Sequence, residues 1–211
     1  MIIYKIIVKI ILKLHNFSYR LATKLAIKTE GGLHPKHRLM NYHKFFVENV
    51  DSGNLVLDIG CGNGALTYDL AKKARKVIGI DLSPENIRFA KRRYSAPNID
   101  YLVGDAIGYK FEQKFNVIIL SNVLEHIKNR IEFLKSIRNM APKVLIRVPA
   151  INRDWITLYK KELGVEWRLD KTHYVEYTLE NLRDELEKVG LNLEKYSIQF
   201  GEIWGVVFAK L

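Results

Sequence analysis

Apolar and polar positions change period several times along the chain, and each change marks an element. In residues 1–14, Lys5, Lys9 and Lys13 recur every four positions, while Ile3, Ile6, Ile7, Ile10, Ile11 and Leu14 fill most of the remainder. That spacing puts the lysines on one face of a helix and the isoleucines around the rest. Gly31-Gly32 followed by Leu33-His34-Pro35 breaks the stretch, and a second helix is predicted over 36–50. Short apolar runs at 55–59, 76–80, 100–103, 115–120 and 143–148 then read as buried strands. Helical pattern separates them at 65–74, from 84 onward, and at 131–139. Ser83 before Pro84 supplies a capping residue and a proline at the first helical position. Thr178 caps a helix over 179–189, and Gly190 stops it. The segments 193–199 and 203–210 are close enough to pair antiparallel. Strands alternating with helices predict an α/β fold, a parallel sheet with helices on both faces. In such sheets ligands bind at the carboxyl ends of the strands.

At 211 residues the chain suits one such domain with a modest addition. A single cysteine, Cys61, excludes an internal disulfide framework and a Cys-rich zinc site. The net charge of +11 is unevenly placed: residues 1–44 hold nine Lys or Arg against one acid, Glu30. We therefore divide the chain into a basic amphipathic helical extension, 1–44, and an α/β domain, 45–211. The domain itself is close to neutral, so no specific nucleic-acid partner is expected. Lysines interrupt the N-terminal apolar run, no small-residue cleavage site follows, and the segment is too short and too charged to span a bilayer. Two readings of residues 1–28 stay open: a helix packed on protein, or one lying peripherally on an anionic membrane. The expected location is cytoplasmic, and under the second reading peripheral at the inner face of the membrane.

Val56-Leu-Asp-Ile-Gly-Cys-Gly-Asn-Gly64 joins a strand to a helix. Its glycines let backbone approach a ligand closely. Asp81 ends the next strand, where a carboxylate can hold ribose hydroxyls. Loop and acid alone also fit a dinucleotide site. Asp58 favours another ligand. It lies two residues before the first glycine, where it would repel a pyrophosphate and attract a sulfonium and an ammonium.

On these residues the chain resembles the class I S-adenosylmethionine-dependent methyltransferases, in their small-molecule subgroup, over roughly 40–211. Val56–Gly64 resembles the family's glycine motif and Ile78-Gly-Ile-Asp-Leu-Ser83 its ribose motif. Val103-Gly-Asp-Ala106 resembles its adenine motif, and 115–126 its fourth-strand motif, ending Ser121-Asn-Val-Leu-Glu-His126. The resemblance implies a Rossmann-like, doubly wound sheet of seven strands, mostly parallel with the last antiparallel, behind an N-terminal helical extension. It implies S-adenosyl-L-methionine as cofactor. Asp58, Gly60, Cys61, Gly62 and Gly64 would meet the methionine end, Asp81 the ribose, Leu82 the adenine face, and Asp105 and Ala106 the adenine edge. Asn122 would face the methyl group. Arg38, in the entry segment, is the candidate partner of the methionine carboxylate.

For the chemistry, Glu125, His126 and His173 are candidate bases. Asn122-Val-Leu-Glu-His126 is similar to the Glu-x-x-Glu-His of ubiquinone-pathway O-methyltransferases, whose polar residues bind a divalent metal. Asn122 replaces the first acid, and no metal is assigned. Trp155, Tyr159, Trp167 and Tyr174 sit in a long connection, 150–177, that reads as a lid over substrate. The leading function is methylation of an oxygen on a small-molecule or lipid-linked acceptor. RNA or protein methylation is the second reading, though the fourth-strand motif lacks the Asn/Asp-Pro-Pro-Tyr/Phe run of base amino methylation. A non-catalytic cofactor-binding partner subunit is the third. The oligomeric state is left open.

Overall fold

The computed structural model describes residues 2–31 and 34–210, so part of the predicted break at 31–35 lies outside them. Among the described residues the sheet has seven strands in the order β3-β2-β1-β4-β5-β7-β6. These are β1 (Leu55–Ile59), β2 (Lys76–Asp81), β3 (Ile99–Val103), β4 (Val117–Ser121), β5 (Lys143–Pro149), β6 (Leu191–Gln199) and β7 (Glu202–Ala209). β1 pairs in parallel with both β2 and β4, so the order reverses there and leaves a crevice beyond its carboxyl end. β7 runs antiparallel to β5 and β6, as the resemblance implies.

Side-chain alternation along the central strands builds a core on each face. Leu57, Ile78, Ile118 and Ile146 face one way, toward Phe133, Leu134 and Leu186. Those three come from α6 (Arg130–Arg138) and α8 (Leu179–Glu187). Val56, Val77, Ile119 and Leu145 face the other way, toward Phe46, Leu66 and Leu70. Those come from α3 (Tyr42–Glu48) and α4 (Ala65–Ala71). α5 (Pro84–Arg93) begins as predicted, with Ser83 accepting from the Asn86 amide, and α8 with Thr178 accepting from that of Asn181.

The helix predicted over 36–50 is two helices, α2 (Lys36–Met40) and α3, because Asn41 turns left-handed at φ 46° between them. Asparagine takes that conformation at less cost than most residues. The boundary drawn between 44 and 45 falls inside α3, whose Tyr42 and Phe46 are both buried against the sheet. α1 (Ile2–Thr29) is one continuous helix of 28 residues with only Leu12 buried. The connection after β5 holds α7 (Trp155–Glu162), capped by Asp154.

Candidate active site

Gly60 and Gly64 fix the turn at the end of β1. Gly60 has φ +68° and its backbone sits against Val123, whose Cγ2 would lie 2.7 Å from an added Cβ. Gly64 has φ +82° and would bring a Cβ to 2.6 Å from the Tyr101 hydroxyl. The Gly60 and Cys61 amides both donate to the Ile80 carbonyl, so β2 carries the loop. The Gly62 amide donates to Asp81 Oδ2 at 2.9 Å, and Ser83 N and Asn86 Nδ2 donate to Oδ1. Counting lone pairs, Oδ2 keeps one acceptor site for a ligand hydroxyl.

The loop borders a cavity of about 320 Å³ lined by Lys36, Tyr42, Asp58, Gly62, Asn122 and Arg147, among others. Asp58 is buried, with Thr67 Oγ1 donating to it at 2.6 Å. Burial pushes its carboxyl up to about 7, and the Asp81 charge adds to the rise while the Thr67 hydrogen bond opposes it. Cys61 is also buried, and burial pushes its thiol far up, so it is inert.

Arg147 was not among the predicted site residues. It stands on β5 with 3% of its surface exposed, its guanidinium 3.6 Å from the Tyr42 ring centroid. Nη2 donates to Asn122 Oδ1 and Nε lies 3.5 Å from Glu202 Oε2. Nε and Nη1 have no hydrogen-bond partner. Buried guanidinium N–H groups without acceptors are costly unless a ligand supplies them. Arg38, expected in that role, does not line this cavity: its side chain is open to solvent and donates to Glu30 at 2.6 Å. Two residues of helix, about 200° of rotation, separate its direction from that of Lys36, which lines the cavity with His37 instead.

Leu82 and Asp105 follow the ends of the paired strands β2 and β3, outside the closed part of this cavity. Leu82 is 70% exposed. Asp105 is exposed and accepts from the Ile107 amide in a turn, and Ala106 packs against the core. Leu82 and Asp105 therefore stand exposed at the strand ends and not in the lining of this cavity.

A larger cavity of about 570 Å³ lies on the other side of Asn122, which lines both, as does Lys36. Asn122 is held at φ 56°, and its Nδ2 donates to Glu125 Oε1 at 2.9 Å. Glu125 and His126 belong to a single 3-10 turn, Leu124–His126, and not to the start of a longer helix. The Glu125 side chain is fully buried, Oε2 has no partner, and burial pushes its carboxyl up to about 7. His126 stacks edge-on against His173, ring centroids 4.7 Å apart. Burial, then the neighbouring His173, lowers the His126 pKa below its ordinary 6.5.

Hydrogen bonding assigns the His126 tautomer. Thr172 Oγ1 donates to Asp170 Oδ1 at 2.8 Å, so it accepts from His126 Nδ1 at 2.9 Å. The Nε2 lone pair is then free. His173 Nδ1 is likewise held by Glu176 Oε1 at 3.0 Å. Glu125, His126 and His173 can each present one ligand atom within 4.8 Å of the others, an arrangement that could also hold a metal ion. Of the four aromatics of the expected lid, Trp167 lines the larger cavity, while Trp155 and Tyr174 are exposed. The opposite wall comes from α1 through His15, Asn16, Tyr19, Arg20 and Thr23.

The chain is similar to known proteins over most of its length. The sequence profile of the methyltransferase domain matches residues 34–196. A ubiquinone biosynthesis O-methyltransferase of Bradyrhizobium diazoefficiens is 33% identical over 57% of this chain and 49% of its own. One from Cereibacter sphaeroides is 30% identical over 66% of this chain and 61% of its own. The chain thus spans half to three fifths of the length of these curated relatives. Among solved structures, the magnesium protoporphyrin IX methyltransferase of Synechocystis PCC 6803, with bound S-adenosylhomocysteine, superposes with a TM-score of 0.65. It does so at 18% identity over 83% of each chain, a likeness of fold.

Proposed function

Since the chain belongs to the S-adenosylmethionine-dependent methyltransferases, we propose that it methylates an oxygen on a small-molecule or lipid-linked acceptor. The observation that carries this reading is the pair of adjoining cavities that share Asn122. One is lined by Asp58 and Arg147, charges that suit the ammonium and carboxylate of an amino acid, and the other holds a neutral imidazole with its lone pair free.

The residues fit S-adenosylmethionine. The partnerless Nη1 of Arg147 suits its carboxylate, and Asp58 suits its ammonium and sulfonium. Asp81 keeps an acceptor site for the ribose, and the exposed Leu82 offers an apolar face to the adenine, with Asp105 and Ala106 at its edge. Cys61, Gly62 and Gly64 supply the turn that makes room. The cofactor supplies an electrophilic methyl on a sulfonium, which already leaves readily.

The protein's task is alignment and proton removal. Asn122, pinned between Arg147 and Glu125, borders both cavities where acceptor oxygen and methyl would meet. His126 Nε2 takes the acceptor's hydroxyl proton as the O–C bond forms. Asp170, through Thr172, keeps the Nδ1 proton in place and favours the resulting imidazolium. His173 and Glu125 shape the site beside it. The ubiquinone-pathway names of the relatives point to a hydroxylated ring as the first acceptor class to try.

The test is transfer of a tritiated methyl to a panel of phenols and hydroxylated lipids, with products identified by mass spectrometry. An alkali-stable methyl ether is expected. His126→Ala should lower kcat by roughly 10²-fold or more while S-adenosylhomocysteine binds as before. Transfer only to RNA or protein, or binding with no transfer to any acceptor, overturns the reading.

A further inference from the structure

α1 carries two faces with different jobs, and only one of them is occupied. At about 100° per residue, Leu12 and the residues that touch the domain, His15 and Asn16, point to one side. Asn16 Nδ2 donates to the Glu166 carbonyl at 2.7 Å, and Lys160 Nζ lies 3.1 Å from His15 Nδ1. On the opposite side Ile3, Ile7, Ile10, Leu14, Phe17 and Leu21 form a stripe within an arc of roughly 80°. All six are exposed, Leu14 and Phe17 by more than 60%. The stripe is about 30 Å long at 1.5 Å per residue. An apolar strip that long on a folded chain marks a contact surface.

The charges say what covers it. α1 holds Lys5, Lys9, Lys13, Arg20, Lys24 and Lys28 and no acid. Most of these lie along one flank of the stripe. A second copy of the helix would set six cations against six with nothing between them to neutralise either row. An anionic bilayer supplies the opposite charge and an apolar layer together. No helix among the described residues is long and apolar enough to cross a membrane, so the helix would lie in the interface.

We propose that α1 docks the protein on anionic lipid through the Ile3–Leu21 stripe and its lysine flank. Its inner face, through His15, Tyr19 and Thr23, walls the larger cavity. Docking therefore holds that cavity about one helix diameter, roughly 10–12 Å, from the lipid surface, within reach of an amphiphilic acceptor seated there. This last step rests on the acceptor reading above; docking itself does not.

The test is flotation of the full chain with vesicles of phosphatidylcholine alone or mixed three to one with phosphatidylglycerol. Calorimetry with S-adenosylhomocysteine is run on every variant to show that the domain is intact. The chain should float with the mixed vesicles, float poorly with the neutral ones, and release in high salt. Lys9→Gln/Lys13→Gln/Lys24→Gln should lower partition about a hundredfold. Ile7→Gln/Ile10→Gln/Leu14→Gln should lower it at least about tenfold. Partition that ignores phosphatidylglycerol, or that survives the apolar triple variant, overturns the proposal. So does light scattering showing a dimer that this variant converts to monomer without any vesicle binding. Loss of cofactor binding by the unaltered chain would instead count against the methyltransferase reading and leave docking standing.

Discussion

Replacing Arg147 by methionine removes a buried guanidinium that lines the smaller cavity and whose Nη1 has neither a hydrogen-bond nor an ion-pair partner among the described residues. If Nη1 receives the cofactor's carboxylate, the loss is selective for ligands that carry one. A hydrogen bond to a charged group contributes about 1.5–3 kcal/mol. Arg147 is 3% exposed, so solvent screening takes little from that figure. One such bond, from Nη1, counted at the high end, gives about 3 kcal/mol, or roughly 10²-fold in affinity. Arg147 also faces Glu202, which is buried and accepts from Trp204 Nε1 at 3.2 Å. Leaving Glu202 without its cation would cost about 3–5 kcal/mol of stability. The comparison is therefore made in a Glu202→Gln background, where the indole hydrogen bond survives. Calorimetry with S-adenosylhomocysteine and with 5′-methylthioadenosine separates the roles, because the second keeps the adenosine and thioether and lacks the amino acid. Arg147→Met should weaken the first by about 10²-fold and the second by less than about twofold. Equal weakening of both would make Arg147 a structural residue, and no change in either would leave the carboxylate site elsewhere.

Two further outcomes are expected. The acid limb of kcat/KM should fall below pH 6.5, because burial and His173 lower the His126 pKa and the base persists as neutral imidazole into mild acid; Thr172→Val should move that limb, and an unmoved limb would sink the relay. Gly64→Ala should destabilise the domain by about 3 kcal/mol, from a left-handed alanine and a clash with Tyr101 and Ala90; urea unfolding showing less than about 1 kcal/mol would contradict the packing.

How far the sequence discloses all this depends on range. β1, β2 and β5 start where their apolar runs start, because each run lies between turn residues and is buried on both faces. Asp58, Gly60, Gly62 and Asn122 meet in one cavity because a single strand–loop–helix unit and one neighbouring strand carry them. Arg147 was missed although a signal existed: a cation inside the run Val144–Val148 must be buried with a purpose. Its partners Tyr42, Asn122 and Glu202 come from three other segments, and nothing in linear spacing brings them together. The same holds for the larger cavity, where α1 and α7 meet a turn after β4. Arg38 stands away from the cavity for a local reason: in a short helix, Lys36 lines the cavity while Arg38 points to Glu30 and solvent.

Asp58 gives the cofactor assignment a pH signature. Its folded pKa is raised to about 7, chiefly by burial. Because the raised group is a carboxylate, the folded chain holds a proton that the unfolded chain has lost, and this contribution to stability declines as pH rises from the ordinary 3.8 toward 7. Ligand binding reverses the preference. An ammonium placed beside Asp58 favours its ionised form, so binding below pH 7 must expel the proton. Affinity for S-adenosylhomocysteine should therefore rise with pH up to about 7 and level off above it. The slope is about tenfold per unit, which makes binding at pH 5.5 about thirtyfold weaker than the plateau. Proton release follows from calorimetry in two buffers of different ionisation enthalpy at pH 6.5, and should approach one proton per site below that pH. Glu125 also titrates near 7, but it faces the acceptor side, so Asp58→Asn alone should flatten the profile and Glu125→Gln should leave it. A profile already flat in the unaltered protein would mean that Asp58 meets no cation, and the choice of a sulfonium ligand over a dinucleotide would lose its physical basis.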